Sequence, residues 1–169
     1  MKKSTKRHKR LSAKKHKAKN PLAHIPNKLR EMIREDVDRY LNVIGMNHYR
    51  ARILYIRKDT SDEEHHSCGE GTVAASATVN NRYLRVRVNI YPHLVTEWKK
   101  KRMDDEEIHE IIAHEMSHVA THHMYVLATS VYKDDGEMKD GWESLTTIIG
   151  RLVHEVDKRR RGFKKSNEK

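Results

Sequence analysis

Leu29, Ile33, Val37, Tyr40, Leu41 and Ile44 recur at three- and four-residue steps after Pro26, which predicts an amphipathic helix that Gly45 ends. The next apolar run, Ile53-Leu54-Tyr55-Ile56 within residues 51–58, is short and β-rich, and reads as a strand buried on both faces. The pattern then alternates. Val73, Ala75, Ala77 and Val79 interleave with small polar residues, and Leu84, Val86, Val88 and Ile90 interleave with Tyr83, Arg85, Arg87 and Asn89. Asn80-Asn81 between them suits a tight hairpin turn, so a small three-stranded, mainly antiparallel sheet is expected.

Helical spacing returns beyond Pro92. Leu94, Val95 and Trp98 predict a short helix, and Asp104 three residues before Glu107 is a capping-box pattern that opens a longer one. Its apolar stripe is Ile108, Ile112, Met116, Val119 and Val126. After a turn-rich connection over 133–141, a last helix is expected from about Gly141, burying Leu145, Ile148, Ile149, Leu152 and Val156. The sum is an α+β fold in which an N-terminal helix and the sheet are followed by two C-terminal helices.

Charge divides the chain. Residues 1–19 hold ten Lys/Arg and no acid, and residues 158–169 hold seven Lys/Arg and one acid, which leaves 18 bases against 23 acids in 20–157. The net charge of +11 therefore belongs to the ends. Like charges with nothing to bury predict a disordered basic tail over 1–20, one folded domain over 21–157 and a basic C-terminal tail over 158–169. A single cysteine, Cys68, excludes an internal disulfide. With no apolar stretch of membrane-spanning length and no apolar segment behind the basic N-terminus, it points to a cytoplasmic protein with no membrane partner. The polar stretch 59–71 gathers Asp62, Glu63, Glu64, His65, His66 and Cys68 and reads as a solvated loop.

The chemistry is concentrated in His114-Glu115-Met116-Ser117-His118. One helical turn separates the two histidines, so both imidazoles can meet one metal ion, and this spacing favours Zn2+. Glu115 between them is placed to take the proton of a zinc-bound water as it attacks a carbonyl. At 100° per residue, both histidines fall off the apolar stripe, on the side of Tyr125, which suits an open cleft.

A catalytic zinc needs a third protein ligand and an open position. His122 and His123 lie on the same helix, and at about 1.5 Å per residue His122 is about 12 Å along the axis from His114, too far to close. Thr121 and Met124 occupy positions where the metzincin pattern needs glycine and histidine. Glu143 is better placed on the following helix, sharing a face with Thr147, Gly150 and His154, with Asp140 and Glu137 as alternatives. Gly150 removes a side chain where two helix backbones could approach closely, and Thr147 is placed to support the ligand.

Through the HEMSH motif and the segment Gly141-Trp142-Glu143-Ser144-Leu145, the sequence resembles the gluzincin zinc metallopeptidases. In the order of its elements over 26–157 it is similar to the minigluzincins and the ImmA/IrrE-like metallopeptidases of phages and bacteria. It departs at Thr147, where the group often has an acidic residue four positions after the ligand glutamate. The SprT-like metallopeptidases, which take a third histidine, match less well, since only His154 follows. The resemblance implies a zincin-like domain, His114, His118 and Glu143 as zinc ligands, Glu115 as catalytic residue, and an exposed strand, here 82–91, that aligns a peptide substrate. Tyr125 and His154 are the candidates for an additional oxyanion donor.

The expected function is thus zinc-dependent hydrolysis of peptide bonds in a protein or peptide substrate, with basic tails able to hold the enzyme on nucleic acid. The alternative is a non-catalytic, nucleic-acid-binding protein that retains the same fold; the tails alone would serve it, because lysines and arginines release counterions from any phosphate backbone.

Overall fold

A computed structural model describes residues 25–57, 73–131 and 135–167. The basic segment 1–20, Pro21 and the loop 59–71 with Cys68 lie outside them.

Helix α1, Asn27–Val43, buries Leu29, Ile33, Val37, Tyr40 and Leu41. It ends in a Schellman motif: Gly45 takes φ +75°, its N–H donates to the Asn42 carbonyl, and the Met46 N–H reaches back to Leu41. Strand β1, Arg50–Tyr55, follows at once.

The sheet order is β1-β3-β2, with β2 at Ala75–Asn80 and β3 at Arg85–Ile90. β2 pairs antiparallel with β3, but β1 pairs parallel with it, from Arg50 opposite Arg85 to Tyr55 opposite Ile90. The sheet is therefore mixed, not mainly antiparallel. This order corrects two further expectations. β1 is an edge strand exposed over its first half, because the apolar run that suggested full burial is flanked by arginines that face water. β3 is central and has no free edge, so it cannot align a substrate strand, whereas one edge of β2 has no strand partner among the described residues.

The turn between β2 and β3 is one 3-10 turn, Asn81–Tyr83, capped by the Asn80 side chain accepting from the Tyr83 N–H. The left-handed residue is Leu84, at φ 48°, and not either asparagine.

Along β3, Val86, Val88 and Ile90 are buried and Arg85 and Arg87 exposed, so helices cover one face of the sheet only. Helix α2, Pro92–Lys99, adds Leu94 and Val95 to that core. Helix α3, Asp105–Val131, opens with a reciprocal capping box: the Asp104 N–H donates to Glu107 Oε2 at 2.7 Å, and the Glu107 N–H to Asp104 Oδ1 at 2.8 Å. Ile108, Ile112, Met116 and Val119 are buried against α1 and the sheet, but Val126 is 45% exposed because α3 outruns the core.

Helix α4, Asp135–Asn167, begins before the expected Gly141 and packs along α3 and α1. Most of its expected apolar stripe is turned outward: Ile148 is 56% and Leu152 60% exposed, with Leu145 and Val156 also exposed, and only Ile149 packs partly buried against the core. The packed face is instead Thr146, Gly150, Val153, His154 and Asp157. Close helix approach selects this face, since a Cβ on Gly150 would stand 3.0 Å from His114 Cα.

Polar groups complete the α1–α3–α4 junction. Buried Asp36 pairs with Arg39 and with His109 Nδ1, and Arg39 reaches Asp157 at 2.8 Å. Removing one partner from such a set leaves a buried charge uncompensated, so it fixes how the three helices meet.

Candidate metal centre

α3 carries His114 and His118 one turn apart on the side that faces α4. Their rings meet edge to face, with centroids 4.8 Å apart. Two features hold this segment against α4. Gly150 lets the backbones touch at His114, and Thr121 Oγ1, which donates to the Ser117 carbonyl, lies 3.2 Å from Thr146 Oγ1.

This docking brings Glu143 onto the pair, with its Oε2 3.6 Å from Nε2 of His114 and 3.6 Å from Nε2 of His118. A separation of 3.6 Å is too long for a hydrogen bond. It suits three atoms at the corners of a tetrahedron around one ion, whose edges are about 3.3–3.6 Å for bonds of about 2.0–2.2 Å. The donor set, two imidazoles and a carboxylate, is one that zinc accepts.

The charges of the metal-free chain fit the same arrangement. Burial drives the His118 pKa down to about 4 against the pull of Glu143, so the ring is neutral and its lone pair free at neutral pH. Interaction with Glu143 raises His114, with burial opposing it. Burial would raise Glu143, but the two histidines outweigh it and hold the carboxylate ionised.

Glu115 extends from α3 toward β2. It is 9% exposed, and burial pushes its pKa up to about 7, with His114 and a hydrogen bond from the Ala77 backbone N–H acting against that rise. An N–H of β2 engaged with Glu115 is turned away from β3. The free edge of β2 therefore borders the site. His114, Glu115 and His118 place one candidate ligand atom each within 4.8 Å of one another.

The other sequence candidates separate clearly. Asp140 is exposed on α4, and the side chain of Glu137 is outside the description. His122 is half-buried and His123 exposed, further along the continuous α3. His154 is buried with both ring nitrogens occupied, Nδ1 at 3.0 Å from the Tyr40 hydroxyl and Nε2 at 3.0 Å from Glu106, an arrangement that ties α4 down and leaves no donor free. Tyr125 stacks on Trp142 with ring centroids 4.2 Å apart.

Trp142 was legible only as the neighbour of Glu143, yet its ring lies 4.6 Å from that of His118. A cavity of about 460 Å³ opens beside His114 between α3 and α4, lined also by Ile111, Thr147, Gly150, Arg151 and His154. No helix among the described residues is long and apolar enough to cross a membrane.

No curated protein and no solved structure matches the chain. The family model of peptidase family M48 matches residues 72–134, a stretch that contains β2, β3, α2 and α3 with the HExxH motif, and stops short of α4 and Glu143. The match points to a metallopeptidase of zincin type, whose metal is usually zinc.

Proposed function

We propose that the chain is a zinc-dependent endopeptidase of gluzincin type in which His114, His118 and Glu143 hold the metal and Glu115 is the general base. The observation that carries this reading is the convergence of Glu143 Oε2 on both histidine Nε2 atoms at 3.6 Å, from a helix that the family match does not reach.

Bound zinc would supply a Lewis acid that polarises the scissile carbonyl and acidifies water. The chain's own residues do the rest. The free edge of β2 offers backbone groups to an extended peptide, which sets the scissile bond over the histidines. Glu115 accepts a proton from the attacking water as the water oxygen bonds to the carbonyl carbon. It then returns that proton to the leaving nitrogen as the C–N bond breaks. Its burial within 4.8 Å of the histidine nitrogens keeps the carboxylate close to the reacting atoms and poised to be protonated.

The test is Glu115→Gln in the full-length chain. The amide preserves shape but cannot accept a proton, so the variant should keep about one zinc per chain while losing peptide hydrolysis by several orders of magnitude. Equal cleavage of a denatured-protein library by both proteins removes the mechanism. Absence of cleavage by either favours the non-catalytic, nucleic-acid-binding reading.

A further inference from the structure

Ring nitrogens of zinc-binding histidines that do not touch the metal normally donate to a carboxylate, a carbonyl or water, which fixes the orientation of the ring. His118 has no such partner among the described residues: its Nδ1 is buried and none of them hydrogen-bonds to it. Something else must hold the ring. Trp142 lies against it with ring centroids 4.6 Å apart and the planes inclined by 56°, and His114 meets it edge to face.

Trp142 is itself anchored at three points. Its Nε1–H donates to Thr121 Oγ1 at 2.9 Å, Tyr125 stacks on its outer face with planes 22° apart, and its backbone leads directly into Glu143. Thr121 is in turn buried and in contact with Thr146. The indole therefore has little freedom to move away from His118.

We infer that Trp142 is the positioning residue of His118, orienting its imidazole toward the metal by aromatic packing in place of the usual hydrogen bond. The inference rests on the zinc-site reading above and concerns what makes that site bind tightly. The contact also couples the two helices: the residue that orients a ligand of α3 is the chain neighbour of the ligand from α4, so docking of α4 places both at once.

The experiment measures zinc affinity of the full-length chain by chelator competition for wild type, Trp142→Phe, Trp142→Leu and Trp142→Ala. Phe keeps an aromatic face and loses the N–H; Leu keeps bulk and loses the face. Trp142→Phe should bind within a few-fold of wild type, whereas Leu and Ala should bind about 10–100-fold more weakly, the loss seen when groups that orient a metal ligand are removed. Wild-type affinity in Trp142→Leu would show that bulk alone suffices and overturn the inference. So would Trp142→Phe as weak as Ala, which assigns the effect to the bond with Thr121.

A spectroscopic readout guards against a variant that merely folds poorly. With Trp98→Phe leaving Trp142 as the only indole, added Co2+ should quench the emission with saturation at one equivalent; unquenched emission with Co2+ bound would overturn the placement. Failure of wild type to bind zinc at all removes the site reading and this inference together. That result is distinguishable from any outcome confined to the Trp142 variants.

Discussion

Two glutamates at the candidate site differ in their surroundings. Glu115 is enclosed by α3 and β2, and burial pushes its pKa toward neutrality, whereas Glu143 faces two imidazoles that keep it ionised. The first suits a proton carrier and the second a ligand. Replacing Glu143 with Ala should accordingly weaken zinc binding strongly, because two histidines from one helix leave the ion with an incomplete set of protein ligands. Asp140→Ala, one turn earlier and exposed, should leave affinity within a few-fold of wild type. Zinc retained per chain after dialysis against a mild chelator separates the two, and the opposite result moves the third ligand to Asp140. The histidine pair and Glu115 stood out in the sequence as candidates because their spacing is local, set by one helical turn. Glu143 was legible as a candidate among three, since its approach depends on how α4 docks. The contact of Trp142 with His118 could not be seen in the sequence, since it too depends on how α4 docks.

α4 is the element that periodicity misread. Its leucines and isoleucines predicted a buried stripe, but the helix packs through Thr146, Gly150, Val153 and His154 and leaves Ile148 and Leu152 exposed. Two forces oppose each other here. Burying the large apolar residues would favour the stripe, yet it would hold the helix axes apart and move Glu143 out of reach of the histidines. Close approach through small residues wins, reinforced by the contacts of His154 with Tyr40 and Glu106 and of Asp157 with Arg39. The sheet was misread for a related reason: alternation identifies strands but carries no information on their order, so the central position of β3 could not be seen. Gly150 gives a sharp test of the packing argument. In an exposed helix interior, Gly→Ala stabilises by about 0.5–1 kcal/mol. At Gly150 the new Cβ would meet His114 Cα at 3.0 Å and His114 N at 3.3 Å, backbone atoms that cannot turn aside. Gly150→Ala should therefore destabilise the metal-free chain by about 1–3 kcal/mol, as overpacking does, and should also weaken zinc binding. Gly141→Ala, on the same helix with nothing within 4 Å of its new Cβ, should stabilise it. Urea unfolding of the three proteins decides the matter, and equal shifts for the two variants would contradict close helix contact.

At the scale of the molecule, the positive charge and the candidate metal centre occupy different parts of the chain. Residues 20–157 carry a net charge of −5, and a phosphate backbone should find little there to bind. The ten Lys/Arg of residues 1–19 are the largest concentration of positive charge, unrelieved by any acid. The C-terminal run is less available than its sequence implies: α4 continues through it, and Lys158 is paired with Glu106 at 2.7 Å and Arg161 with Asp157 at 3.0 Å. If the ends hold the enzyme on nucleic acid, the N-terminal segment should therefore dominate. Affinity for duplex DNA or single-stranded RNA should then fall log-linearly with salt, with a slope of about −0.7 to −0.9 for each phosphate neutralised, and show little sequence preference. Deleting residues 1–19 should remove most of that binding and leave zinc content and peptide hydrolysis unchanged, because His114, Glu115, His118 and Glu143 are brought together by α3 and α4. A mobility-shift salt series on the full-length and truncated chains, with zinc measured in both, reads all of this directly. Binding that survives the deletion would place the contact on the folded domain, and no binding at low salt would assign the basic segment to a protein partner instead.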